Sequence, residues 1–388
     1  PFDHLKLNSE RNRFLSPASP TQLASLSFSP LGAWLQITDG CNLDCDYCYR
    51  PNSSQVMIYQ RGKESIDAVM RSASLHSYQR IKLKYAGGEP LLRFPLVLEL
   101  HRYAQAQAEQ QGLALDGIIL SNGTLLTDKM VAQMQAAGLR LMISLDGLGK
   151  MHDCQRHYAD GRGSFKEVSR AIDRALAGGI VPDISITVSG RNAAGLPETV
   201  AWVLDRDLPF SLNFYRENAH SAAQRDLQWE EERLIEGMLE AYNVIEHDLP
   251  ERSLLASLLD RANLAAPHQR TCSAGQGYLV FDTQGRIAKC QMAMAHPTTT
   301  YQDPDPLGTI RASANGLQNL TVDEKSECAE CEWRYWCGGG CPLQAYRATG
   351  RYDAKSPNCT IYRTLFPEVV RLEGLRLLKY ADAEVQMA

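Results

Sequence analysis

Three cysteines, Cys41, Cys45 and Cys48, fall within the string CNLDCDYCYR. Thiolates this close in one loop can hold three corners of a cubane iron–sulfur cluster while the backbone wraps one face of it. The fourth iron is then left without a protein ligand, and an open metal position is what a catalytic site needs, because a small molecule can bind the metal there. Zinc would normally want a fourth Cys or His nearby, and none lies between Cys48 and His76. Seven more cysteines crowd the C-terminal part: Cys272-x12-Gly285-x4-Cys290, then Cys328-x2-Cys331-x5-Cys337-x3-Cys341, then Cys359. The four-cysteine run also has the spacing of a zinc ribbon. The total of eleven is odd, and a long cysteine-poor stretch separates two tight groups, which fits metal thiolates better than a disulfide scaffold. Cys154 stands alone and reads as a small core residue.

The elements that must position these thiols alternate regularly. Strands are predicted at Leu35 to Thr38, Ile81 to Ala86, Gly117 to Leu120, Arg140 to Ser144, Asp183 to Val188 and Ser211 to Tyr215. Between them, Ser65 to Ser74, Leu96 to Gln110, Asp128 to Ala137 and Ser164 to Ala177 have the apolar spacing of amphipathic helices packed on a sheet. Six strands with crossover helices imply a parallel sheet with right-handed connections, either a partial barrel or a doubly wound sheet. The first cysteine group follows the first strand directly. Polar residues end the later ones: Gly87, Gly88, Glu89 and Pro90 the second, Ser121 and Asn122 the third, Ser144 and Asp146 the fourth. Carboxyl ends of parallel strands form the ligand face of such sheets.

The cysteine spacing, with aromatic Tyr47 before its last member, resembles the defining motif of the radical S-adenosylmethionine (SAM) superfamily. The resemblance implies a partial (β/α)6 TIM-like barrel in which Cys41, Cys45 and Cys48 bind the catalytic cluster. It also implies that the GGEP turn receives the amino group of SAM through its backbone and Glu89, where glycine permits close approach and a carboxylate suits an ammonium. The strings HDCQR (His152 to Arg156) and GRGSF resemble a pattern of the peptide-modifying branch, which makes Ser144 and Arg156 candidates for the methionine carboxylate and places Asn192 near the adenosine. Each of these three also suits a helix cap or a surface ion pair.

The C-terminal field resembles the seven-cysteine SPASM domain, an irregular cysteine-rich module. By the interleaved pattern of that family, Cys328, Cys331, Cys337 and Cys359 enclose a distal [4Fe-4S] cluster, while Cys272, Cys290 and Cys341 hold a proximal one with either an open iron or a non-cysteine ligand. That makes three [4Fe-4S] clusters in all. Gly338, Gly339 and Gly340 let the chain fold tightly over sulfur, and Trp333, Tyr335 and Trp336 pack beside them. The domains expected are an N-terminal extension (1–34), a barrel (35–218), a helical bridge (219–266), the auxiliary-cluster domain (267–365) and a terminal helix (366–388). The extension is too short for the peptide-recognition domain that many relatives carry.

The resemblance implies that a 5′-deoxyadenosyl radical abstracts hydrogen from a ribosomally made precursor peptide. Auxiliary clusters give a second electron somewhere to go, which favours an oxidative cross-link between side chains, by a C–C (cyclophane) or thioether bond. A flavodoxin or ferredoxin type protein would donate electrons. A sulfatase-maturing enzyme is a weaker fit, since its relatives bear an aspartate shortly after a cysteine of this field and Cys290 is followed by Gln291, Met292, Ala293 and Met294. A peptide epimerase would need a spare thiol, for which only Cys154 is available; a non-catalytic iron–sulfur or zinc scaffold would not need the SAM motifs.

In bulk the 388 residues are 44% hydrophobic and 22% charged, an ordinary globular balance, and a net charge of −5 gives no field that favours nucleic acid. There is no bilayer-length apolar run and no signal-peptide pattern, so the chain reads as soluble and cytoplasmic, without a membrane partner.

Overall fold

The computed structural model describes residues 30–386 apart from 51 and 261, and side chains as far as residue 381; most of the expected N-terminal extension lies outside the described residues. Six parallel strands come first: β1 (Leu31–Thr38), β2 (Arg80–Gly87), β3 (Ala114–Ser121), β4 (Leu139–Ser144), β5 (Asp183–Val188) and β6 (Phe210–Phe214). They lie side by side in chain order, each pairing with the next. A doubly wound sheet reverses its order at a switch point. This one never reverses, so it winds in one direction as a barrel does, and the choice left open by pattern alone falls to the partial barrel. All six carboxyl ends share one edge.

The crossover helices α1 (Tyr59–Leu75), α2 (Phe94–Gln110), α3 (Asp128–Ala136), α4 (Phe165–Ala177) and α5 (Leu196–Leu204) cover the sheet. In α4 the buried residues Val168, Ala171, Ile172 and Ala175 recur at helical spacing, and burying each larger one contributes about 1.5–3 kcal/mol. Helices α1 and α2 touch at Gly62, where a Cβ would come within 2.5 Å of Leu100. Beneath α2, buried His101 bridges the Tyr85 hydroxyl (3.2 Å) and the Ala137 carbonyl (3.1 Å).

On the other side of β1 the sheet continues into the cysteine-rich part. β7 (Tyr278–Phe281) pairs parallel to β1, and β8 (Arg286–Ala288) and β9 (Thr299–Thr300) follow antiparallel, giving nine strands. β1 is thus internal, and all but one of its residues are buried, as a strand covered on both faces should be. Short helices α7 (Pro306–Ala312) and α8 (Pro342–Thr349) belong to this part. Trp333 packs on Phe366 with centroids 5.0 Å apart, and Tyr362 stacks on Phe214 of β6 at 6.0 Å.

Two expectations change. Among the described residues, the stretch 219–266 is helical only over α6 (Glu231–His247) and a short turn at Arg225–Leu227, since Pro250 disfavours helix just before it. The last helix, α9 (Cys359–Gln386), starts before the expected residue 366 and runs through Pro367. An internal proline costs about 3 kcal/mol. Ile361, Tyr362, Leu365, Phe366, Val369 and Leu372 are all buried on both sides of it, and their combined burial outweighs that cost.

Candidate active site

The loop bearing Cys41, Cys45 and Cys48 leaves the carboxyl end of β1 and is held on three sides. The GGEP turn lies directly against it: Gly88 N–H donates to Thr38 O (2.8 Å) and Glu89 N–H to Gly40 O (2.9 Å). A Cβ on Gly88 would sit 2.3 Å from Gly40 O, and one on Gly87 2.2 Å from Thr38 O. These glycines are therefore required for approach to the cluster loop itself, whatever they offer a ligand. At β3, Asn122 Nδ2 donates to Asn42 Oδ1 (3.0 Å) and reaches Cys41 Sγ at 3.9 Å, while Leu43 N–H reaches the same sulfur at 3.4 Å. On the third side the end of the HDCQR segment and His157 after it pair with the loop: Asp44 N–H donates to His157 O (2.7 Å) and Asp46 N–H to Gln155 O (3.2 Å).

Glu89 is fully buried, which pushes its carboxyl pKa up. Three donors work against that shift: Asn122 N–H (2.7 Å), Leu91 N–H (3.0 Å) and Ser121 Oγ (2.8 Å). Pro90 opens the short turn Pro90–Arg93 that supplies the Leu91 amide, a position where a missing N–H is harmless. Beside Cys45, half-buried Tyr47 forms a triad with buried Asp146 and Arg156. The Tyr47 hydroxyl donates to Asp146 Oδ2 (2.6 Å), Arg156 donates to the same hydroxyl, and its guanidinium lies 3.5 Å from Asp146 Oδ2. Arg156 Nε is buried with no hydrogen-bond partner.

Asn192 is fully buried, and its amide is engaged inside the protein. It donates to Asp146 O (2.6 Å) and Thr187 O (2.8 Å) and accepts from Ser189 N–H (2.7 Å), tying the ends of β4 and β5 together. Ser144 is half-buried at the end of β4, in register with Ser185. Cys154 corrects the sequence reading: it is exposed, and its thiol donates to Met151 O (3.1 Å). It follows the single helical turn Lys150–Asp153, whose inward face is taken by His152.

None of the eleven cysteines is joined in a disulfide. Cys272, Cys290 and Cys341 line one cavity of ≈ 340 Å³, together with Arg216 and Gln291. Cys328, Cys331, Cys337 and Cys359 line another of ≈ 110 Å³. Each cavity thus gathers one of the two cysteine sets named from the resemblance. Burial pushes the Cys41 thiol to about 11 and the Cys45 and Cys337 thiols to about 12, so loading metal here must release protons. The donor sets fit iron–sulfur clusters: the four-cysteine cavity collects four thiols and the buried Nε of Arg334, which makes no hydrogen bond. Gly338, Gly339 and Gly340 all have φ between 61° and 77°, a run that only glycine adopts readily.

A larger cavity of ≈ 800 Å³ lies between the first loop and the C-terminal part, lined by Tyr49, Arg50, Asn218, Met292, Met294 and Tyr346 among others. It shares Gln291, Met292 and Leu343 with the three-cysteine cavity. Sequence reasoning missed Arg50, which pairs with Asp39 and reaches Met294 Sδ (2.8 Å), and Asn218, which donates to Tyr47 O (3.1 Å). It also missed Arg191, which joins Asp46 of the cluster loop to Asp226 (2.6 Å). Their signals were adjacency alone: Arg50 follows the cysteine motif and Arg191 precedes Asn192.

Residues 35–203 match the family model of the Radical SAM superfamily. They are a radical SAM domain. The protein is accordingly an enzyme that uses SAM and an iron–sulfur cluster. It is 27% identical over 363 residues to the AdoMet-dependent heme synthase of Methanosarcina barkeri, covering 85% of this chain and 96% of that one. Among solved structures it resembles "Native anSMEcpe with bound AdoMet and Kp18Cys peptide", with a TM-score of 0.74 at 17% identity over 89% of this chain and 99% of that one. Streptococcus suis SuiB bound to precursor peptide SuiA has a TM-score of 0.53 at 16% identity, covering 82% and 73%. With those identities the structural likenesses bear on the fold, which for the radical SAM domain and the cysteine-rich part together is shared.

Proposed function

We propose that this radical SAM enzyme modifies a ribosomally made precursor peptide, joining two of its side chains by an oxidative C–C or thioether cross-link. The observation that carries the reading is the ≈ 800 Å³ cavity that adjoins the three-cysteine cavity through Gln291, Met292 and Leu343. A substrate there lies next to an electron acceptor, as an oxidation requires. In this reading Cys41, Cys45 and Cys48 hold the SAM cluster, Cys272, Cys290 and Cys341 a proximal auxiliary [4Fe-4S] cluster, and Cys328, Cys331, Cys337 and Cys359 a distal one. When bound, SAM and its cluster supply one-electron cleavage of a sulfonium and removal of hydrogen from an unactivated carbon.

The protein's own residues bind, orient and shield. Glu89, fixed by Ser121 and Asn122, offers a carboxylate to the SAM ammonium, and Arg156 offers its guanidinium to the SAM carboxylate beside Ser144. Asp146 and Tyr47 hold that guanidinium in place, and Asn192 holds Asp146. The walls contributed by Met292, Met294 and Tyr346 keep water from the reacting carbon. An external flavodoxin or ferredoxin type protein supplies electrons.

A second reading rests on the 27% identity that runs along 96% of the heme synthase: the same cavity would take a tetrapyrrole. The epimerase reading loses its hydrogen donor, because Cys154 does not line the cavity. Sulfatase maturation is disfavoured because Gln291, Met292, Ala293 and Met294 after Cys290 include no aspartate. The test is to offer the reduced, reconstituted enzyme SAM with its neighbouring precursor peptide, and separately with an iron-containing haem precursor, and to weigh the products. Loss of a hydrogen pair from the peptide is expected. An unchanged peptide beside a converted tetrapyrrole would overturn the proposal in favour of the second reading.

A further inference from the structure

Lys325 is among the largest fully buried side chains of the molecule. It follows the short turn Val322–Glu324, and its ammonium donates only long hydrogen bonds, to Gly338 O (3.4 Å) and Gly339 O (3.2 Å). Its stem lies over Gly339, where a Cβ would come within 2.6 Å of both Cδ and Nζ. The middle glycine of the triplet is thus shaped around this lysine. Gly338 and Gly339, whose carbonyls hold the ammonium, lie between Cys337 and Cys341 in the chain. Cys337 and Gly339 line the four-cysteine cavity and Cys341 the three-cysteine cavity, so the ammonium sits between both.

An ammonium taken out of water is strongly penalised unless opposite charge compensates it. Arg216, in the wall of the three-cysteine cavity, has its own carboxylate, with both oxygens of Asp260 at 2.8 Å. Lys325 has only the backbone carbonyls of the glycine run as hydrogen-bond partners instead. Cluster potential responds to local net charge, and reducing either cluster by one electron adds a negative charge beside this cation.

We propose that Lys325 is a shared counter-charge for the two auxiliary cluster sites, holding the reduction potentials of both clusters up together. The proposal rests on the two-cluster reading given above. It makes Lys325 a positioning residue that acts through the clusters and touches no substrate.

The test is a potentiometric titration of the anaerobic holoenzyme with dithionite, followed by electron paramagnetic resonance, for wild type, Lys325→Met, Lys325→Gln and Lys325→Arg. Both auxiliary midpoints are expected to move negative in the Met and Gln variants and to return toward wild type in the Arg variant. The SAM cluster, held by the loop that follows β1 and outside both auxiliary cavities, is the internal reference and stays put. Unchanged auxiliary midpoints in Lys325→Met with full iron content would overturn the proposal. Should the neutral variants lose auxiliary iron while the Arg variant keeps it, the need for charge stands; iron loss in all three would make the need one of shape and end it. If the wild type itself carries iron for the SAM cluster alone, the two-cluster reading fails independently.

Discussion

Asp146 serves three neighbours with one buried carboxylate: Tyr47, Arg156 and the Thr187 amide. In Asp146→Asn the amide oxygen can still accept from Thr187, but the Arg156 charge loses its counter-ion in a site only 8% exposed. Removing one partner of a buried pair destabilises by about 3 kcal/mol. Urea unfolding of the metal-free protein should show a loss of that size, and SAM affinity of the loaded enzyme should fall at least about tenfold, since each 1.4 kcal/mol is a factor of ten. A variant indistinguishable from wild type in both would mean that the triad positions nothing. Cys154→Ser, by contrast, changes an exposed thiol and should leave stability within about 0.5 kcal/mol and product formation intact; abolished turnover would revive the hydrogen-donor role. The thiols and GGEP were legible at this scale because their types and spacing are local. Arg50, Arg191 and Asn218 were not, because each acts on a partner that only the fold brings near: Arg191 on Asp46, Asn218 on Tyr47, and Arg50 on Met294.

At the scale of elements, β1 and β2 carry the site between them, and the contact is backbone on backbone. Gly88→Ala would place a methyl 2.3 Å from Gly40 O, and neither strand end can yield without moving the cluster loop. We expect a cost of about 1–3 kcal/mol together with lost SAM cleavage, read by thermal unfolding and product assay; a fully active Ala variant would show that the two ends separate freely. Beneath the sheet, burial pulls His101 from 6.5 to about 4. The unfolded chain binds that proton near 6.5 and the folded chain only near 4. Stability from this group is therefore complete above pH 6.5 and is lost as pH falls toward 4, by up to about 3 kcal/mol. The pH slope of the urea midpoint across that window should flatten in His101→Gln, and an unchanged slope would place the acid sensitivity elsewhere. The strands were readable as short β-rich runs between amphipathic helices, and their true ends differ by a few residues. The start of α9 was not readable, since Pro367 looks like a boundary to any rule that ignores the apolar face continuing past it.

Across the whole molecule, one sheet carries both the radical SAM domain and the cysteine-rich part, joined where β7 pairs with β1. Sequence separated the two by composition and could not show that they share a ladder, because Gly32 and Tyr278 are far apart in the chain. The join sets the first cluster loop, the ≈ 800 Å³ cavity and the three-cysteine cavity in succession. Among the described residues no helix is long and apolar enough to cross a membrane. The claim beneath all of this is that Cys41, Cys45 and Cys48 leave an iron corner vacant for SAM. Its most direct test is the amount of 5′-deoxyadenosine released from SAM under reducing, anaerobic conditions by wild type and by Cys45→Ala. Release by the wild type and none by the variant is expected; equal release by the two, or a wild type that carries zinc in place of iron, would contradict it.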